Sequence, residues 1–130
     1  MRLVIEGPLP PRDCSPNGYK HWRRVSAAKR SQRLEWSLLA YAAARERGVP
    51  WQPPERATAV IEVGIKGARG TRFYAPRDEA NALGALKAAI DGIVDAGALL
   101  DDSRRHLHVA GVTISAEWGP GVRVVLEGQP

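Results

Sequence analysis

Apolar segments of two different periods alternate along this chain, and their order limits the folds that it can form. Residues 21–47 and 80–96 repeat apolar side chains at helical spacing, whereas four shorter segments have the apolar pattern of strands. The strand-like segments are Arg2–Glu6, Ala57–Lys66, the run around Val109–Ile114, and Val122–Glu127. This order predicts a β-α-β-α-β-β domain of the α+β class, with two helices packed on a mixed sheet.

Prolines and glycines mark the connections between these segments. Residues 7–18 contain four prolines and two glycines and therefore read as a loop. Gly97 stands where a glycine that ends the second helix belongs. The run Gly119-Pro120-Gly121 predicts a turn that joins the last two strands in a terminal β-hairpin.

Each predicted helix carries a stripe of apolar side chains, which predicts the face that it buries. In the first helix the stripe consists of Leu34, Leu38, Tyr41 and Ala42. In the second helix it consists of Leu83, Leu86, Ile90, Ile93 and Val94.

Length and composition predict one domain, residues 1–130, in a reducing compartment. A chain of 130 residues is long enough for one core. The single cysteine, Cys14, excludes an intrachain disulfide and suits a cytoplasmic protein. Residues 1–7 read as a strand rather than a signal peptide, because Arg2 and Glu6 interrupt any apolar run. The longest uncharged apolar stretch, Trp36–Ala44, is too short for the ~20 residues that cross a bilayer.

Charge is unevenly distributed along the chain. The net charge is +5, and arginine outnumbers lysine 15 to 4, a preference that suits bidentate recognition of phosphate. Residues 78–102 nevertheless contain six acidic residues and one basic residue, while the other 105 residues contain 18 basic and 8 acidic ones. An acidic segment in a basic protein is typical of a metal-dependent enzyme that acts on nucleic acid.

The acidic residues cluster on and around the second predicted helix. Lys87, Asp91 and Asp95 follow one another at one-turn intervals, on the side opposite the apolar stripe. Asp78 precedes the helix, and Asp101 and Asp102 follow it. Carboxylates of this kind suit Mg²⁺, which prefers oxygen ligands and keeps several waters.

The interpretation of these residues as a magnesium site has one geometric condition and one alternative. The ends of a four-turn helix are more than about 20 Å apart, so Asp78 and Asp102 meet only if a flanking segment folds back or a partner subunit intervenes. The plainer alternative is that these acidic residues form a solvated helix face, helix caps and a turn.

Several spaced motifs, taken together, resemble the RusA-like Holliday junction resolvases. That family has an R-D-x-D-N motif, a K-x-x-x-D on the following helix and a D-D-S turn, with a P-P-S-x-N opening near its amino terminus. The matching segments here are residues 77–81, Lys87 to Asp91, residues 101–103, and the opening Pro8-Leu-Pro-Pro with Ser15-Pro-Asn17. The resemblance covers nearly the whole chain.

The resemblance implies a homodimeric α+β endodeoxyribonuclease of recombination and repair, found in bacteria, phages and prophages, that cuts four-way DNA junctions with Mg²⁺. By position it implies catalytic roles for Asp78, Lys87 and Asp102, with Asp78, Asp91, Asp101 and Asp102 as metal-binding positions and Asn81 as the motif asparagine. Two-fold symmetry fits the task, because two opposed strands must be nicked.

Position 80 departs from the family motif, because Ala80 stands where the family has its second aspartate. In an extended segment residues 78 and 80 point the same way, so the change removes one carboxylate from the metal site. Three explanations remain open: an engineered inactive form, a degenerate natural copy, or a variant that recruits Glu79 or Asp101. The resemblance therefore implies a resolvase whose catalysis is impaired.

Basic residues predict where DNA binds. The basic positions are Lys20, Arg23, Arg24, Lys29 and Arg30 at and just before the first helix, and Arg69, Arg72 and Arg77 in the loop that follows the second strand. The neutral Asn17, just before the first helix, is also predicted to contact DNA. Contacts of this kind go to phosphates and depend on salt rather than base sequence. Two alternatives are a non-catalytic protein that binds DNA junctions through the same surface, and a basic nucleic-acid-associated domain whose acidic face only confers solubility.

Overall fold

The structure, a computed structural model, describes residues 1–16, 21–46 and 50–129. The strands are β1 Arg2–Gly7, β2 Ala57–Gly64, β3 Leu107–Ser115 and β4 Gly121–Gly128. The helices are α1 Trp22–Arg45, α2 Glu79–Ala85 and α3 Lys87–Asp95, and a short 3₁₀ helix covers Arg12–Cys14. The α+β class is confirmed. The predicted end of the first helix at Arg47 lies outside the described residues.

The strands form one mixed sheet in the order β1-β4-β2-β3. Strand β4 is antiparallel to both β1 and β2, whereas β3 is parallel to β2. The predicted terminal hairpin is therefore wrong, because β2 lies between β3 and β4. The turn at residues 119–121 does reverse the chain, but β4 then enters the centre of the sheet. Its nearly continuous buried run, Val122 and Val124–Leu126, suits a central strand rather than an edge.

One core joins the sheet to the helices. Alternate residues of β1 and β2 are buried on the same side, as the period of two requires. They share a cluster with Trp36 and Ala40 of α1 and with Leu86 and Ile93. Trp36 is fully buried, and its ring lies against Gly7 so closely that a Cβ there would overlap it.

Helix α1 is confirmed, but its predicted apolar stripe is not its buried face. Leu34 and Leu38 are each 62% exposed, and Tyr41 is 51% exposed. The buried side chains of α1 are instead Gln32, Trp36 and Ala40. Packing against α3 selects this face, because Gly92 of α3 lets the two backbones approach closely.

The second predicted helix exists but breaks at Leu86. That residue joins α2 to α3 with φ −97° and ψ 5°, outside regular helical geometry. Leu86 and Ile93 are each 1% exposed, which confirms the predicted stripe as the core face. Gly97 ends α3 with φ +79°, and the next N–H, that of Ala98, donates to Ile93 O over 3.2 Å.

Within the described residues, no helix is both long and apolar enough to cross a membrane.

Candidate active site and nucleic-acid interface

The connection after α3 folds back along that helix. Lys87 is the first residue of α3, and Asp102 lies seven residues beyond its last residue, Asp95. A nine-residue helix is about 13 Å long, yet the Lys87 ammonium donates a hydrogen bond to Asp102 Oδ2. Residues 96–102 must therefore fold back to the start of α3. This fold-back brings Asp102 to Lys87, but among the described residues no hydrogen bond or ion pair joins Asp78 to either of them.

Lys87, Asp91 and Asp102 form one ionic group, which we call the Lys87 cluster. Lys87 Nζ lies 2.8 Å from Asp91 Oδ1, one turn along α3, and also contacts Asp102. The contact with Asp102, and then that with Asp91, raises the pKa of Lys87 above its ordinary value. The same hydrogen bond from Lys87 lowers the pKa of Asp102. The cluster therefore consists of one ammonium group that contacts the carboxyl groups of both Asp91 and Asp102.

Asp101 supports this arrangement through the backbone. Its Oδ1 accepts the N–H of Asp102 over 2.8 Å, which fixes the turn that carries both carboxylates. Asp101 is exposed, while Asp102 is partly buried. The sequence-predicted positions Lys87, Asp91, Asp101 and Asp102 are thus brought together.

Asp78 is the N-cap of α2. Its Oδ1 accepts the N–H of Asn81 over 2.8 Å, and its Oδ2 accepts the Asn81 side-chain amide over 2.9 Å. The motif asparagine therefore holds the first predicted catalytic carboxylate in place. Asp78 thus has the helix-cap role that the plainer alternative assigned to these acidic residues, and its side chain is exposed.

The structure corrects the geometric argument about Ala80. Asp78 is extended, with φ −144° and ψ 168°, but Glu79 and Ala80 lie in the first turn of α2. Residues 78 and 80 are therefore not related by strand alternation. The side chains at positions 79 and 80 leave the helix about 100° apart, because α-helices turn once every 3.6 residues.

The residues suit Mg²⁺ in their chemistry but do not form a closed ligand set. Within residues 1–16, 21–46 and 50–129, no three His, Cys, Asp or Glu side chains lie together as a metal site requires. Mg²⁺ is commonly held by one or two carboxylates, with waters and substrate phosphate completing the shell. Asp101 and Asp102, on the turn after α3, and Asp78, at the N-cap of α2, each supply carboxylate oxygens of this kind, but the three do not converge on one site.

Asp95 does not belong to the Lys87 cluster. Its carboxylate pairs with the Arg33 guanidinium of α1 through two contacts, of 2.6 and 2.8 Å. The pairing raises the pKa of Arg33 and lowers that of Asp95. The sequence analysis missed Arg33, since nothing in the pattern links residues 62 positions apart.

The predicted basic face of α1 is exposed. Arg23, Arg24, Lys29 and Arg30 all have exposed side chains, and the Arg23 guanidinium lies 5.3 Å from the ring centre of the exposed Trp22. Asn17 and Lys20, the other two predicted positions in this segment, lie outside the described residues.

The arginine-bearing loop is tied to the amino-terminal segment. The N–H of Tyr74 donates to Pro10 O over 2.8 Å, and the N–H of Arg12 donates to Arg72 O over 3.2 Å. Arg72 also lines a cavity together with Ala28 of α1. The side chains of Arg69, Arg72 and Arg77 are all exposed. The loop thus adds positive charge beside the basic face of α1.

The chain matches none of the known protein families to whose models it was compared, and no curated protein matches its sequence.

Proposed function

We propose that this protein is a structure-specific endodeoxyribonuclease of the RusA-like type, which resolves four-way DNA junctions by paired nicks with Mg²⁺. The observation that carries the proposal is the Lys87 cluster, which brings Asp102, from the end of the acidic segment, to Lys87 and Asp91 near its middle. The exposed cations of α1 and of the 66–77 loop support it, because nucleic-acid binding needs such a surface.

Each residue of the site has a role that its environment supports. Asp102 and Asp78 would hold the metal, with Asp101 as an accessory ligand, and Asp102 would then exchange its contact with Lys87 for the metal. When bound, Mg²⁺ supplies an activated water and neutralises charge on the phosphate. Lys87 stays protonated because its pKa is raised, so it places a positive charge where negative charge develops on the cleaved phosphate.

Ala80 is proposed to weaken the metal site. An aspartate at this position in the first turn of α2 would add a second carboxylate near Asp78 and the helix N-terminus, where negative charge is favourable. The exposed alanine supplies none. Catalysis by this sequence is therefore expected to be low unless Glu79 or Asp101 substitutes.

Two active sites are needed for paired nicks, so the acting form is proposed to be a homodimer. A two-fold axis would relate the two sites as it relates the opposed strands of a junction.

The test is nicking of a synthetic four-way junction in Mg²⁺ by the wild-type protein and by Ala80→Asp. We expect strong cutting by the variant alone. Ala116→Asp is the matched control, because it adds the same charge at an exposed alanine between β3 and β4. Cutting by wild type and Ala80→Asp alike would assign the missing ligand to Glu79 or Asp101. If neither protein cuts, the nuclease proposal is wrong.

The second candidate is a protein of the same fold that binds DNA junctions without cutting them. Two observations favour it. Ala80 removes a carboxylate, and Lys87 already lies between Asp91 and Asp102. This candidate predicts tight, Mg²⁺-independent junction binding by both wild type and Ala80→Asp, with no cleavage. Equal affinity for junction and duplex DNA would reject both candidates.

A further inference from the structure

A cavity of about 260 Å³ opens beside the Lys87 cluster, between α1 and the start of α3. Lys87 and Asp91 line one side, and Gln32 of α1 lines another. Ala85 and Ala88 also line the cavity, and their small side chains leave the space between its two sides unfilled. We call this space the Gln32 cavity.

Gln32 is unusual for a residue on a basic, exposed helix. It is only 3% exposed, and neither its amide nitrogen Nε2 nor its oxygen Oε1 has a hydrogen-bond partner among the described residues. Buried amides are nearly always paired, because an unpaired donor and acceptor destabilise the fold. Both atoms are closed off from solvent, so a ligand reaches them only when the side chains that cover them move. A ligand that then accepts from Nε2 and donates to Oε1 would satisfy the amide.

The entrance of the cavity is positively charged. Lys29, Arg30, Arg33 and Lys87 all contribute to its lining and have exposed side chains. Arg33 and Lys87 are paired with carboxylates. Lys29 and Arg30 have no ion pair within the described part of the chain, so they can contact an anionic group. These long side chains can also turn aside to admit a ligand to Gln32.

These features select one class of ligand. A phosphodiester of DNA only accepts hydrogen bonds and would leave Oε1 unpaired. A nucleobase presents a donor beside an acceptor, the arrangement that a glutamine amide pairs with at adenine. The cavity is also smaller than the ~300–1,000 Å³ typical of sites for drug-sized ligands, so its occupant must be small.

We infer that the Gln32 cavity receives one unstacked nucleobase of the bound DNA, next to the phosphate at the Lys87 cluster. The amide of Gln32 contacts the edge of the base, and Lys29 and Arg30 contact the adjoining phosphate. The identity of the DNA rests on the proposed function, but the base-binding character of the cavity does not. Bases at a branch point are the least costly to extrude, because their stacking is already interrupted.

The test follows the Gln32 side-chain amide by ¹H–¹⁵N NMR while the full chain is titrated with each deoxynucleoside 5′-monophosphate. Deoxyribose 5-phosphate and inorganic phosphate are the controls that lack a base. We expect saturable shifts of the Gln32 amide with at least one mononucleotide and none with the controls. Equal shifts with deoxyribose 5-phosphate would make the cavity a phosphate site and overturn the inference, as would no shift with any probe.

A pair of variants assigns the effect to the amide. Gln32→Met removes both polar atoms at similar volume and is expected to weaken mononucleotide binding about tenfold, as the loss of two hydrogen bonds implies. Gln52→Met is the matched control at an exposed glutamine and should bind as wild type does. The urea midpoint of Gln32→Met should not fall, because the change removes an unpaired buried amide. Unchanged affinity in Gln32→Met would reject the inference.

These titrations need neither a junction nor cleavage. If mononucleotides bind at Gln32 but junction DNA is neither bound nor cut, the proposed function fails and the base site stands. If the junction is cut while no mononucleotide reaches Gln32, the inference alone fails.

Discussion

Helices α1 and α3 cross closely because residue 92 has no side chain. A Cβ added to Gly92 would overlap the carbonyl oxygen of Arg33 and lie 2.9 Å from the backbone nitrogen of Ser37. Both of these atoms belong to the backbone of α1, so no side-chain rotation can relieve the contact. The substitution Gly92→Ala must therefore push the two helices apart.

Two opposing effects determine the size of the change. Helix propensity alone would make alanine more stable than glycine by about 0.8–1.0 kcal/mol. Overpacking in a closed core costs roughly 1–3 kcal/mol, and a clash with backbone falls toward the upper end. We therefore expect Gly92→Ala to lower the free energy of unfolding by about 1–2 kcal/mol.

The assay is urea unfolding of the wild type, Gly92→Ala and Gly84→Ala. Gly84 is the matched control in α2, where a Cβ would meet Pro16 at 3.4 Å, an ordinary van der Waals distance. Gly84→Ala should thus be as stable as wild type or more stable, by up to about 1 kcal/mol. If Gly92→Ala proves as stable as Gly84→Ala, the close crossing of α1 and α3 is refuted.

Two further predictions concern charge. Lys87→Met should lower the free energy of unfolding at neutral pH by about 0.5–1.5 kcal/mol, because two partly exposed ion pairs are lost. The pKa of Asp102 is lowered in the folded protein, so the difference in unfolding free energy between wild type and Lys87→Met should shrink as the pH falls below 3.8. The pKa of Lys87 is raised, so the same difference should also shrink as the pH rises above 10.5. Urea unfolding of both proteins across this pH range checks both expectations. Replacing both Arg23 and Arg24 by Gln should make the plot of log association constant against log salt concentration for junction binding less steep, by about 1.8 in the magnitude of its negative slope. Arg45→Gln, roughly 33 Å along α1 from Arg23, should leave it unchanged, and an equal loss there would contradict the assigned interface.

The fold was predictable where the signal was local. Strand and helix positions followed from periodicity, and Gly97 marked the end of α3 through its positive φ. The pairing of β3 with β2 was not predictable from the turn, because a turn fixes chain direction but not which strand becomes the neighbour. The break at Leu86 was hidden because the apolar repeat continues across it.

In the candidate site, too, the contacts within one helix were predictable from the sequence, and those that depend on tertiary packing were not. The spacing of Lys87 and Asp91 placed them one turn apart on one helix face, where they contact. Helix length alone gave the condition that a flanking segment must fold back, or a partner subunit intervene, for Asp78 and Asp102 to meet, but not that Asp102 would contact Lys87. The burial of Gln32 had no sequence signal, since a glutamine among arginines and lysines reads as surface. Its burial results from the packing of other elements around α1, including the close approach of α3 at Gly92, and no local pattern encodes that packing.

In the folded protein, cationic side chains neutralise part of the negative charge of the acidic segment. Asp95 is neutralised by Arg33, and Asp91 and Asp102 share the ammonium of Lys87. A divalent cation would therefore compete with Lys87 for Asp91 and Asp102, and with Arg33 for Asp95. These ion pairs explain how carboxylates at one-turn spacing on α3 coexist without strong repulsion.

The carboxylates that remain without a cation in the described residues include Asp78 and Asp101. Asp78 is bonded only to neutral groups of Asn81, and Asp101 to the N–H of Asp102. Negative charge available to a metal is therefore concentrated at the cap of α2 and on the turn after α3. Position 80 lies in the first turn of α2, so an aspartate there would add charge where it is not already neutralised. On this argument Ala80→Asp should strengthen Mg²⁺ binding far more than Ala116→Asp.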